Sequence, residues 1–245
     1  PSLHAMRIDP NLINPWGLAF SATSPFWPSN EGSGTSTLYR HFGQVVPFVV
    51  MIPPPTGSGK GHPTGIVQNG TANFVVTANG KSGAGAFIFD TLDGTIAGWN
   101  PNVNGTQAII AVDNSSSQAS YTGLTIAANG SATFLYAADA HNNRVDMFDG
   151  TFTKMGEFTD PNIPSGFAVY GVQAIQGQIY VTYTNFTKAG GFVDVFNPNG
   201  TFVKTLVSDS SGAHLNQPWG MAMAPANFGP FSNDLLVGNV RDGLI

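Results

Sequence analysis

Oxygen-bearing side chains stand at five matching places along the chain, with Thr184 or Asn185 in the fourth copy and four candidate cation ligands in the others. Asn30, Asn79, Asp139 and Asn239 each follow an apolar run. Amide and carboxylate oxygens that converge can hold Ca²⁺, and a bound Ca²⁺ can polarise a carbonyl. The same residues also suit a plain structural role, because Asx side chains cap turn backbone. Only Asp139 of the four is charged, whereas a good Ca²⁺ cage draws on several carboxylates. His62, His141 and His214 could ligate Zn²⁺ or Cu²⁺. No H-x-x-x-H or similar spacing joins them, so ordinary loop histidines are the competing reading. Trp16 and Trp219 could stack on a sugar ring or fill a wedge between packed sheets. Cysteine is absent, which excludes disulfides, thiolate metal sites and cysteine nucleophiles. No G-x-S-x-G elbow occurs, and Asn79-Gly80-Lys81-Ser82-Gly83 lacks the spacing of a phosphate loop.

The elements that must position these residues recur. A small turn ending in Gly opens each copy: Asn14-Pro15-Trp16-Gly17, Pro63-Thr64-Gly65, Tyr121-Thr122-Gly123, Val169-Tyr170-Gly171 and Gln217-Pro218-Trp219-Gly220. The steps between these glycines are 48, 58, 48 and 49 residues. An apolar strand follows each Gly, then a polar turn and further short strands. In the second copy these are read as Phe74–Val76, Ala86–Asp90 and Thr95–Trp99. Asp93-Gly94, Asn129-Gly130, Asp149-Gly150 and Asn199-Gly200 supply turn chemistry. Four short strands per period of this size predict the blades of an all-β propeller. Blades of one domain over 1–245 start near 15, 63, 121, 169 and 218, the last incomplete, so about four and a half are present. No helical window appears, since Gly and Pro interrupt the chain too often. His4–Ile8 is expected to add an edge strand. In a four-stranded up-and-down blade, the entry and the turn between second and third strands share one face. That order puts the four Asx residues and His62, His141 and His214 around one mouth. Trp27 and Trp99 read as core.

Composition bounds the partners. Charged residues are 9% and the net charge is −5, with no basic stripe. Nucleic-acid binding is therefore not expected. No run of about 18 apolar residues exists to span a membrane. A surface built from Asn, Ser, Thr and Gly suits an extracellular protein, a glycoprotein or an assembly. Sequons occur at Asn69, Asn104, Asn114, Asn129, Asn185 and Asn199, and in a glycosylating host they are expected to be exposed acceptors.

Leu135–Asp149 resembles an NHL-repeat blade. The chain as a whole is similar to an uncharacterised family of secreted bacterial six-bladed propellers. The likeness is carried by Asp9–Gly17, Ser24–Trp27, Asp93–Pro101, Leu215–Gly220 and Leu236–Asn239. It implies a six-bladed ring when complete, and export, and it carries over no known activity. The expected role is a secreted, non-catalytic binding or scaffold protein that contacts carbohydrate or self-associates through its C-terminal blade edge. The alternative is a Ca²⁺-dependent, lactonase- or lyase-like hydrolase with its site at the channel mouth.

Overall fold

The computed structural model describes residues 7–56 and 58–245. They form antiparallel sheet almost throughout, with three single-turn 3₁₀ segments at His41–Gly43, Ser115–Ser117 and Gly229–Phe231. The chain divides into two compact units. Residues 1–121 with 150–152 form the first, and 122–149 with 153–245 form the second.

In the first unit, β1 (Pro15–Ala19), β2 (Trp27–Asn30), β3 (Thr35–Tyr39) and β4 (Val45–Met51) pair in chain order. The next strand is β5 (Pro63–Gln68). A separate hairpin of β6 (Val75–Ala78) and β7 (Lys81–Ala84) follows it, turning at Asn79-Gly80 with φ of +54° and +73°. The sheet then resumes with β8 (Phe87–Thr91), β9 (Thr95–Trp99) and β10 (Ile109–Asp113). The second strand of this blade is therefore Phe87–Thr91, and 74–76 belongs to an inserted hairpin. The ten residues Val75–Ala84 account for the long step of 58. Two consecutive residues with positive φ make the tight turn that lets the hairpin close on itself. The core of this unit stacks Trp27 on Phe87, with ring centroids 4.3 Å apart, and sets Trp99 beside it. Ile52, Phe89 and Ala97 complete the buried layer.

The second unit holds two complete blades and a two-stranded sheet. β11 (Tyr121–Asn129), β12 (Ala132–Asp139), β13 (Arg144–Phe148) and β14 (Lys154–Phe158) form one. β15 (Ala168–Ile175), β16 (Gln178–Thr184), β17 (Gly191–Phe196) and β18 (Phe202–Asp209) form the next. β19 (Pro218–Met223) pairs with β20 (Leu235–Asn239). Each entry Gly lies in the first strand of its sheet. At Gly171 an added Cβ would collide with the Trp219 carbonyl oxygen and lie 2.7 Å from Thr182 Oγ1. Close approach of neighbouring first strands thus demands Gly there. The core joins Tyr136, Val145, Phe158, Val181 and Phe196. The expected edge strand at His4–Ile8 falls mostly outside the described residues, and Arg7 and Ile8 belong to no strand.

Candidate functional site

Register shows which polar side chains share a position. Pro15 pairs with Asn30, Pro63 with Thr91 and Pro218 with Asn239, while Asp139 ends β12 opposite Arg144. Asn30, Thr91, Asp139 and Asn239 each close the second strand of a blade. Asn79 does not share this position. It is exposed at the tip of the β6–β7 hairpin, and Thr91 stands where the repeat led us to expect it.

Within each turn the side chains make hydrogen bonds. Asn30 Nδ2 donates to Thr37 Oγ1 at 2.9 Å and to Thr35 Oγ1 at 3.3 Å. Asp139 accepts from the Asn142 backbone N–H at 3.2 Å and from Asn142 Nδ2 at 2.7 Å. Asn239 accepts from Asn216 N–H at 2.9 Å and donates to the His214 carbonyl at 3.0 Å. All three are buried. Asn30 Oδ1 is buried without a hydrogen-bond partner. Among the described residues, no group of three or more His, Asp or Glu is placed to hold a metal ion.

A charge cluster that the sequence reading missed lies in the β11–β14 blade. Asp146 is fully buried at the centre of β13, paired across the sheet with Glu157. Lys154 Nζ lies 2.8 Å and Arg144 Nε 3.0 Å from Asp146 Oδ1. Arg144 also reaches Glu157 at 3.2 Å, and Asp139 at 3.7 Å. The basic side chains hold the Glu157 carboxyl below its usual range, Lys154 most of all. In the next blade the corresponding acid is Asp194, paired with Thr205, and Phe192 replaces the arginine. Burial pushes the Asp194 carboxyl up to about 6. The Thr205 hydroxyl opposes this, and the neighbouring Asp160 carboxyl adds to it. These charges were not legible because they lie on different strands and only register gathers them.

His62 Nδ1 pairs with Asp93 Oδ1 at 2.9 Å, and its backbone N–H donates to Asp93 Oδ2 at 2.8 Å. His141 is exposed in the turn after Asp139, and the backbone N–H of exposed His214 donates to Asp209 at 2.7 Å. Trp16 is half-buried on β1. Trp219 is also half-buried, and its indole N–H donates to the Thr122 carbonyl at 2.8 Å. Trp27 and Trp99 are core residues.

Four sequons are Asx turns. Asn69, Asn104, Asn185 and Asn199 accept through Oδ1 from the backbone N–H of the Thr two residues on. Asn69 and Asn185 are buried, against the expectation that the acceptors are exposed. The Asn69 amide nitrogen donates to the carbonyls of Asn73 and Gly85, at 3.1 and 3.0 Å. Asn114 donates to Tyr121 Oη at 2.7 Å, and Asn129 ends β11.

No protein-family model matches the chain. The uncharacterised protein R640 of Acanthamoeba polyphaga mimivirus is 32% identical over 207 residues, covering 77% of this chain and 38% of that protein. Uncharacterised protein R648 of the same virus is 29% identical over 260 residues, covering 98% of this chain and 62% of its own length. The chain thus spans less than two thirds of either relative. Kuenenia stuttgartiensis hydrazine synthase superposes with a TM-score of 0.59 at 14% identity, over 92% of this chain and 56% of that one. A virginiamycin B lyase from Staphylococcus aureus, solved with quinupristin, superposes with a TM-score of 0.57 at 13% identity. It covers 87% of this chain and 61% of that one. These likenesses show the fold, which is a β-propeller type built from four-stranded antiparallel blades.

Proposed function

We propose that this chain is a non-catalytic binding and scaffold module that acts outside the cell. The observation that carries the reading is the employment of the repeated polar side chains. Asn30, Asp139 and Asn239 are buried and hydrogen-bonded within their own blade ends. A side chain committed to a turn stabilises that turn and is poorly placed to meet a substrate. An exterior location is supported by the composition, in which only 9% of residues are charged. Carbohydrate contact and self-association through the outer edge of β20 are the partnerships this role would use.

Thermal melts with millimolar Ca²⁺ and with chelator test the reading. The expected Tm is the same in both, and Asp139→Asn lowers it equally in both. A Ca²⁺-dependent rise in Tm that Asp139→Asn abolishes would overturn it. One observation favours a second reading, a Ca²⁺-dependent lactonase- or lyase-like hydrolase. Asn30 Oδ1 is a buried acceptor without a partner, and a cation would satisfy it.

A further inference from the structure

The first blade carries a cleft at the end opposite its Pro15 entry. Antiparallel order puts the β1–β2 and β3–β4 turns side by side there. The floor is a backbone bridge: Phe26 N–H donates to the Tyr39 carbonyl at 2.8 Å, and Tyr39 N–H to the Phe26 carbonyl at 3.0 Å. Thr23 and Ser24 from one turn and Arg40 and His41 from the other line a cavity of 370 Å³. A second cavity of 230 Å³, lined by Arg7, Asp9 and Phe42, shares Tyr39 with the first.

Three observations point to one class of ligand. The first is exposed aromatic surface. Phe20 is 59% exposed, Phe26 39% and Phe42 93%. Phe20 meets Phe26 edge-on at 5.1 Å, and Phe42 meets His41 edge-on at 4.9 Å.

The second is backbone strain. Phe42 adopts φ of +61°, a region that bulky residues avoid. Phe74 and Phe152 share this angle with φ of +59° and +63°, but both are buried, so packing holds them, whereas Phe42 carries the strain with its ring in solvent.

The third is charge. The whole chain has four arginines, and Arg7 and Arg40 line these two cavities. Asp9 is the acid here, and it is engaged: Oδ1 accepts from Asn11 N–H and Oδ2 from the Tyr39 hydroxyl, both at 2.8 Å. A cationic spot on a chain of net charge −5 selects anions.

We propose that these two adjoining cavities bind one acidic saccharide, with a uronic-acid carboxylate on the Arg40 guanidinium in the first and the pyranose C–H face on the Phe42 ring of the second. A planar guanidinium grips a carboxylate through two parallel hydrogen bonds. An exposed ring covers the apolar face of a sugar, and the Thr23 hydroxyl is available to a ring hydroxyl. The assignment rests on the non-catalytic binding role proposed above and names its ligand.

Calorimetric titration of the whole chain with tetragalacturonate, and with galactotetraose as the neutral counterpart, tests it. The acidic oligomer is expected to bind, and more weakly as salt rises. Arg40→Gln should weaken that binding about tenfold or more. Phe42→Gly should weaken it as well while leaving Tm unchanged or raised, because Gly accepts the backbone angle that Phe resists. The cleft assignment fails if the acidic oligomer does not bind, if galactotetraose binds equally, or if both variants bind as the parent does. It also fails if phosphatidylserine vesicles capture the protein through Arg40 and Phe42 while neither oligomer binds. A reducing-end assay on the same mixtures separates the two readings. Cleavage of bound oligomer would leave the cleft standing and overturn the non-catalytic role. Absence of both binding and cleavage would overturn the cleft alone.

Discussion

Asp139 and Asp146 sit two strand positions from one another across the β12–β13 turn, and their tasks differ. Asp139 closes the turn through Asn142, whereas Asp146 is a buried anion neutralised by Lys154 and Arg144. Replacing Asp139 by Ala removes its hydrogen bonds to Asn142 and is expected to cost about 1–3 kcal/mol in urea unfolding. Trp219→Phe keeps an aromatic ring and deletes the hydrogen bond to Thr122 O, for an expected loss of about 1 kcal/mol. At this scale the sequence was half legible. Asx residues after second strands were visible in three blades, because turn chemistry is local. The partners of Asp146 were not, because Lys154 and Glu157 reach it only through strand pairing. The Arg40–Phe42 cleft was equally hidden, since no spacing rule joins residues 23–26 to residues 39–42.

Among the elements, the entry strands carry the sharpest contrast. A Cβ at Gly171 meets neighbouring backbone, while a Cβ at Gly220 meets nothing within 4 Å. Gly171→Ala should therefore destabilise by about 3 kcal/mol, because a carbonyl on a paired strand cannot step aside. Gly220→Ala should stay within about 0.5 kcal/mol of the parent. Chemical denaturation of both variants checks the pair, and equal losses would refute the packing argument. The blade beginning at Pro63 shows where periodicity misleads. Val75-Val76 has the residue types of a second strand, yet Asn79-Gly80 turns that run back onto β7 before it can join β5. Ile109–Asp113 then supplies the fourth strand, a segment that the four-run reading had no place for.

For the molecule as a whole, two buried acids push the response to pH in opposite directions. Asp194 has its carboxyl raised to about 6, mainly by burial. The folded state then holds a proton that the unfolded state has released, so stability falls as pH rises from about 4 through 6. A shift of about two units corresponds to roughly 3 kcal/mol at most. Asp209 behaves oppositely. The Ser211 hydroxyl and the backbone N–H groups of Leu215, His214 and Ser211 hold its carboxyl well below the usual range. Its contribution is present above about pH 4 and is lost as pH falls below it. Their joint contribution is expected to peak near pH 4, and urea midpoints between pH 3 and 7 check it. Asp194→Asn should flatten the limb above pH 4 and leave the acid limb intact. Neither pKa shift could be read from the sequence, because each depends on burial and on partners brought in by folding.

The Asx turns at Asn69 and Asn185 set up a race during synthesis in any host that attaches glycans. The transferase needs a free amide nitrogen, and closure of the β6–β7 hairpin commits the one on Asn69 to the carbonyls of Asn73 and Gly85 at its two ends. Occupancy at that position would then report how long the nascent second blade stays open, and fast folding would leave it bare.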